Sequence, residues 1–148
     1  MKTITFLLLI MLTFGFGSGC AENQGEQDNE LTKIHSTKSV DQSLSNQAKE
    51  SVIEKDEVTD VKAVNTENDL LVAAKVGHFE RFRIKSIEEK VTADLEKKYP
   101  NKNVYVSTDQ KIIWETEKLE NKLQEDKINR KKLKKEIQRI NDLMNKKT

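Results

Sequence analysis

The stretch Leu70–Trp114, which reads LLVAAKVGHFERFRIKSIEEKVTADLEKKYPNKNVYVSTDQKIIW, decides the fold of this chain of 148 residues. It opens with Leu70–Val76, an apolar run with the length and composition of a buried β-strand. The preceding segment Val58–Val64 (VTDVKAV) is also rich in β-branched residues, and the turn-forming residues 65–69 separate the two. The sequence therefore predicts a β-hairpin with a five-residue loop.

A helix and a third strand are predicted after the hairpin. Apolar residues recur with helical spacing at Ile84, Ile87, Val91, Leu95 and Tyr99. Ser86 and Glu89 have the spacing of a capping box at the start of this helix, and Pro100 would end it. Asn103–Ser107 (NVYVS) then alternates two valines with Tyr105, which is the pattern of a half-buried strand.

A long charged helix is predicted for the last part of the chain. Thr108 or Asp109 can cap it, and it would continue to about residue 145. In a seven-residue reading, its apolar seam is interrupted at Asp126 and Arg130, which lie four residues apart and could pair. We therefore predict that the first half of this helix packs on the sheet and that the second half projects as an amphipathic arm.

The N-terminus has the pattern of a bacterial lipoprotein signal. Lys2 precedes Ile4–Phe16, an apolar or hydroxyl run that is too short for a membrane-spanning helix, which takes about 20 residues. Small residues then lead to Cys20, the only cysteine of the chain. This resembles a lipobox, in which the cysteine thiol takes a diacylglyceryl group, although Gly17 stands where leucine is usual. The alternative is an ordinary secretory signal with an incidental cysteine.

The segment after Cys20 is predicted to be an acidic disordered tether. Residues 21–69 hold five Lys against twelve Asp and Glu, a net charge of −7, whereas residues 111–148 carry +5. Residues 21–50 are rich in Gln, Asn and Ser and show no apolar periodicity, so they cannot offset their ordering entropy by burial. An anionic membrane surface would repel such a segment and extend it outward.

Four segments follow from these patterns. Residues 1–19 would be a lipoprotein signal peptide, residues 20–57 the tether, residues 58–124 a folded module and residues 125–148 a basic amphipathic helical extension. The predicted fold class is α+β: a β-hairpin, a helix, a third strand and a long C-terminal helix. A module of this size can hold one small core, with two helices on one face of the sheet.

The module resembles the YhcN/YlaJ family of sporulation lipoproteins from endospore-forming Gram-positive bacteria. The residues that carry the resemblance are Leu71-Val72-Ala73, Arg81-Phe82-Arg83, Ile87, Tyr99-Pro100 and, above all, the block Val104–Asp109 (VYVSTD). The resemblance spans about residues 58–124, and Cys20 agrees with it. It implies a lipoprotein that is made during sporulation, anchored in the spore inner membrane and associated with germination or outgrowth. It gives no catalytic residues to assign.

No arrangement of residues in the sequence predicts catalysis or metal binding. His35 and His78 lack neighbouring Cys, His or paired carboxylates at the spacing of metal ligands. The lipid would occupy the thiol of Cys20, and neither G-x-S-x-G nor S-x-x-K occurs. No glycine-rich phosphate loop is present either. We therefore expect a protein that is not an enzyme and has no metal or cofactor, apart from the acyl lipid on Cys20.

Aromatic and cationic residues alternate just after the second strand. This interleaving can favour stacking on nucleic acid, which a secreted lipoprotein would rarely meet. We therefore expect Phe79 and Phe82 to pack in the core while Arg81, Arg83 and Lys85 stay in solvent. We expect no nucleic-acid partner.

The basic extension carries the candidate contacts with an anionic surface. They are Lys127, Arg130, Lys131, Lys132, Lys134, Lys135 and Arg139. One interpretation is a solvated helical face. Another is attraction to anionic lipid or anionic wall polymer, at ~1 kcal/mol per cation near an anionic lipid surface. A third uses the apolar seam Leu133, Ile137, Ile140 and Met144 as a short coiled coil for a protein partner.

The functional hypothesis combines these features. Cys20 anchors the protein on the extracytoplasmic face of the spore inner membrane, and the tether raises the concentration of a non-catalytic binding or structural module there. The alternative is an extracytoplasmic lipoprotein that binds a small ligand or peptide without a role in sporulation. That alternative would require an apolar pocket with convergent polar groups.

Overall fold

The computed structural model of the chain describes residues 40–146, which form a three-stranded sheet between two layers of helices. In chain order the elements are α1 (Ser43–Ile53), β1 (Val58–Asn65), β2 (Asp69–Val76), a 3₁₀ helix (His78–Arg83), α2 (Ile84–Lys98), β3 (Asn103–Ser107), α3 (Gln110–Gln124) and α4 (Arg130–Asn145). The α+β class predicted from the sequence is confirmed.

The apolar run of β2 forms the centre of the sheet. The strand order is β1-β2-β3, with β2 antiparallel to β1 and parallel to β3. Leu70–Ala74 is completely buried because helices cover both faces of this central strand, which explains its unbroken apolar sequence. The predicted hairpin and third strand are confirmed. The hairpin loop is shorter than predicted because Asn65 and Asp69 belong to the strands.

Two hydrophobic clusters lie on opposite faces of the sheet. On one face, Val64, Leu71 and Ala73 meet the apolar residues of α3 and α4. On the other face, the remaining buried residues of β1 and β2 meet α1 and α2. The prediction of helices on one face only is therefore wrong. A central strand that is apolar at five consecutive positions, Leu70–Ala74, needs cover on both sides, and the second layer includes a helix that the sequence analysis missed.

That missed helix, α1, lies within residues 40–57, which we predicted as part of the disordered tether. It buries Ser45, Ala48, Lys49 and Val52 against the fold. The prediction was wrong because α1 buries mainly small and polar side chains, so its apolar periodicity is weak. Residues 20–39 of the predicted tether lie outside the described residues.

The predicted long C-terminal helix is two helices joined by a turn. α3 ends at Gln124, and α4 begins at Arg130 after Asn129, whose side chain accepts a hydrogen bond from the Lys132 N–H. Asp126 in the turn has a positive φ of 53°. A right-handed α-helix requires a negative φ, so the helix cannot continue through this residue. The predicted pairing of Asp126 with Arg130 on one helical face is therefore wrong.

α4 lies against the sheet layer instead of projecting from it. Leu133, Ile137 and Ile140 are buried in the cluster that α3 forms with the sheet, and Ile128 of the turn joins them. The predicted projecting arm is therefore wrong, since its apolar seam meets the core of its own chain. A protein partner of this helix would have to contact its charged face, and such a partner remains a prediction.

The ends of α2 and α3 agree only in part with the predicted caps. α2 begins at Ile84 after Arg83 and has no side-chain cap, so the capping box predicted at Ser86 is wrong. It ends at Lys98, before Pro100, as predicted. Asp109 caps α3, because its side chain accepts hydrogen bonds from the backbone N–H groups of residues 111 and 112.

Candidate functional site

A buried ion pair links α1 to α3 at the outer edge of β1. Lys49 Nζ lies 3.0 Å from Glu120 Oε1, and the same oxygen accepts a hydrogen bond of 2.9 Å from the Ala63 N–H. Desolvation raises the pKa of the Glu120 carboxyl, while Lys49 and the Ala63 N–H oppose that rise. Both side chains are closed off from solvent, so this pair is structural and offers a substrate no access.

Gln42 completes the cover of the same edge. Its amide accepts from the Asn65 N–H at 3.0 Å and donates to the Asn65 carbonyl at 2.8 Å, as a neighbouring strand would. An open strand edge can pair with other chains, and here Gln42, just before α1, and Glu120 of α3 bond its outward-facing groups. Residues that we predicted to be tether thus protect the sheet.

A groove lined mainly by lysines lies between the end of α3 and the start of α4, and we call it the basic groove. Lys122, Lys127, Lys132 and Lys135 line it, with Ile128 and Glu136. Three of these lysines belong to the predicted cationic set, and Lys122 was missed because it lies on a different helix. Four lysines against one glutamate give this open groove a net positive charge, which suits an anion.

The rest of the predicted cationic set is dispersed. Arg130 lies at another groove, whose lining also holds Lys102 and the two acidic residues Asp41 and Glu67, so the four charges there sum to zero. Lys131 and Lys134 are exposed on α4. The seven predicted cations thus divide between two grooves and the exposed side of α4, and their contact with an anionic surface stays a prediction.

Arg139 is engaged within the fold. Its guanidinium donates to Glu136 and to Glu115 of α3, so it joins the two helices. The hydrogen bond from Arg139, and after it one from Lys118, lowers the pKa of the Glu115 carboxyl. Arg139 is thus a structural residue in this arrangement, although the sequence placed it among the surface contacts.

Phe79 and Phe82 are exposed, and the prediction that they pack in the core is wrong. Their relative accessibilities are 96% and 101%, compared with 57% for Trp114. The two rings lie on the 3₁₀ helix, in which residues three apart stand in one row. We call this pair the phenylalanine ridge.

Residues three apart also contact each other in the other two rows of the 3₁₀ helix. Arg81 Nη2 lies 3.3 Å from His78 Nδ1, and Arg83 Nη1 lies 3.1 Å from Glu80 Oε2. Arg83 also lies 3.8 Å from Glu57. The phenylalanine ridge therefore stands between two polar rows, and the exposed Lys85 follows it at the start of α2.

The ridge and the chain entry lie at opposite ends of the sheet. The ridge follows Val76, the last residue of β2. The chain enters the described fold at Val40 and Gln42, beside Asn65 at the hairpin end of β1. Arg130 at the start of α4 lines a groove at that same hairpin end, so the basic groove is near the chain entry.

The remaining predicted site residues, Cys20, His35 and His78, form no further site among residues 40–146. Cys20 and His35 lie outside the described residues, and His78 is exposed beside Arg81. Within residues 40–146, no three metal-ligating side chains come together. In the same part of the chain, no helix has the length and apolar character needed to cross a membrane.

The chain is similar to bacterial lipoproteins, and within that class it matches one family. Residues 16–145 match the family described as "Sporulation lipoprotein YhcN/YlaJ". Since this match spans most of the sequence, the chain belongs to that family of sporulation lipoproteins. The resemblance seen in residues 58–124 is confirmed, and the match extends to Cys20 and α4. No curated protein and no solved structure gives a significant match.

Proposed function

We propose that this protein is a non-catalytic lipoprotein of the spore inner membrane, which holds a binding module for germination or outgrowth. The observation that carries the proposal is the family match over residues 16–145, because it includes both Cys20 and the whole described fold. A diacylglyceryl group on Cys20 would place two acyl chains in the bilayer, which is sufficient for stable anchoring.

The basic groove supplies the binding chemistry of the proposal. Lys122, Lys127, Lys132 and Lys135 attract a phosphate or carboxylate group of a lipid headgroup or a wall polymer. Lys127 also lies 2.6 Å from Glu125, but both side chains are exposed, so this pair competes only weakly with an external anion. The contact is electrostatic and should weaken as salt is added.

The form of the surface supports binding over catalysis. The basic groove is open to solvent, and so is a second groove on α2, which is lined by charged side chains together with Ala93 and Val106. A small-ligand site would need an enclosed apolar pocket with a few polar groups directed into it. The arrangement therefore favours a macromolecular anion over a small apolar ligand.

The groove is tested by changing its four lysines to glutamine together. Binding to liposomes that contain an anionic lipid, and to purified anionic wall polymer, is measured in separate sedimentation assays. A matched variant changes the exposed Lys75, Lys97, Lys98 and Lys111 to glutamine and removes the same total charge. We expect the groove variant to lose at least about tenfold in affinity for one of the two anions. Equal losses in both variants would contradict a specific groove.

The placement is tested by fractionating growing cells and purified spores. We expect the protein in the inner-membrane fraction of spores. Its presence only in growing cells would overturn the sporulation part of the proposal. The proposed anion binding by the basic groove would not be affected by that result.

A further inference from the structure

We propose that the phenylalanine ridge inserts into the surface of an anionic phospholipid bilayer and so orients the anchored module. Phe79 and Phe82 are the two most exposed large apolar side chains among the described residues. Both rings lie on one side of a short 3₁₀ helix that follows the end of β2 and has no buried residues. The inference rests on the proposed anchoring and adds a second membrane contact to it.

The area of the ridge favours a bilayer over a protein partner. Two aromatic side chains expose roughly 150–250 Å² each, whereas a stable protein interface needs about 800 Å² on each partner. The side chains beside the ridge are charged, so the apolar area does not extend to that size. A fluid lipid interface needs no matching surface and accepts two protruding rings.

The charges next to the ridge complement anionic headgroups. Arg81 and Lys85 are exposed cations, whereas the charge of Arg83 is balanced by Glu80 and by Glu57, which Lys90 also contacts. When the rings enter the interface, these cations come level with the phosphates. Segments that bind at a membrane interface usually place aromatic rings at the boundary with the acyl chains and cations among the headgroups.

The length of chain between Cys20 and the fold permits this orientation. The ridge lies at the far end of β2 from the chain entry, and eight strand residues span roughly 26 Å. Residues 21–39 can reach at most roughly 65 Å at ~3.4 Å per residue. The anchor can therefore hold the module with its ridge on the bilayer, which turns the basic groove away from the lipid and towards wall polymer.

The test places one tryptophan at each end of the module. In a Trp114→Phe background, Phe79→Trp reports on the ridge, and Asn101→Trp reports on the exposed loop at the opposite end. The full chain is mixed with excess vesicles of phosphatidylglycerol and phosphatidylcholine, with or without brominated acyl chains. We expect a blue shift and quenching for Phe79→Trp and neither change for Asn101→Trp.

A second substitution checks the neighbouring ring. In the chain without acylation, adding Phe82→Ser to the Phe79→Trp probe should weaken vesicle binding by at least about tenfold. The far-UV spectrum should not change, because the exposed ring has no contacts in the core. An unquenched Phe79→Trp probe, or equal quenching of Asn101→Trp, would overturn the inference. Excess vesicles keep the probe informative without acylation, so a missing acyl group would contradict only the proposed anchor.

Discussion

Lys49 Nζ lies 3.0 Å from Glu120 Oε1, and the two side chains are only 1% and 3% exposed. The pair joins the helix before the sheet to the first helix after it, across the outer edge of β1. Glu120 also accepts from the Ala63 N–H, so a single carboxylate connects α1, β1 and α3. The segment from residue 40 onward is therefore part of the fold, and its removal would leave a charge buried without its partner.

Glu120→Gln should lower the free energy of unfolding by about 3–5 kcal/mol, because it removes the charge of the carboxylate with which the buried Lys49 pairs. Urea unfolding measures this difference. Glu96→Gln, at an exposed position of α2, should change stability by less than about 0.5 kcal/mol. The double variant Lys49→Met with Glu120→Gln should recover most of the loss, and a double variant as unstable as Glu120→Gln alone would contradict the pairing.

Gln42→Ala should destabilise the protein by about 2–4 kcal/mol, since the buried N–H and carbonyl of Asn65 both lose their partner. The exposed edge of β1 should also make the variant more prone to aggregate. Thermal unfolding and light scattering report the two effects. The control is Gln124→Ala at the exposed end of α3, and equal behaviour of the two variants would refute the proposed cover.

Asp126→Val should cost about 1–2 kcal/mol, because a β-branched residue is unfavourable at a φ of 53°. Asp126→Gly should be close to neutral, since glycine adopts this conformation without strain. Glu125→Val is the matched control, with a negative φ of −84° at the next position. The denaturant midpoints of the three variants would measure their relative stabilities. Similar losses for both valine variants would mean that α3 and α4 are not divided at Asp126.

The hydrogen bonds from Arg139 and Lys118 hold the pKa of Glu115 below its ordinary value of 4.5. The folded state therefore favours the ionised carboxyl, and the resulting stability is present above about pH 4.5 and is lost as the pH falls through the folded pKa. Parent and Glu115→Gln melting temperatures should differ at pH 7 and converge in acid. Because Glu120 titrates in both proteins, it largely cancels from the difference. A difference in melting temperature between parent and variant that stays constant with pH would show that the fold does not stabilise ionised Glu115.

Much of the fold could be predicted because its signals are local. The run of β2, the stop at Pro100 and the Asp109 cap each depend on a few neighbouring residues. α1 could not be predicted in this way, since the reason for its burial is the distant edge of β1. The turn at Asp126 did leave a signal, namely the interrupted apolar seam, but the seam alone does not distinguish a surface position from a break.

The candidate surfaces were predictable in composition and not in arrangement. The sequence analysis identified the lysines of α4, but Lys122 joins them in the basic groove only because of the way α3 and α4 pack. For Phe79 and Phe82, hydrophobicity predicts burial, and only the 3₁₀ geometry turns both rings outward. A pair of phenylalanines three residues apart among cations is the sequence signal that could have suggested an exposed ridge.

The central claim is that an acylated Cys20 holds this module at a membrane. The most direct measurement is the mass of the N-terminal peptide of the mature protein, isolated from the membranes of sporulating cells. The account predicts a chain that begins at Cys20 and carries a diacylglyceryl thioether on its sulfur. A mature chain that begins elsewhere, or an unmodified Cys20 thiol, would contradict it.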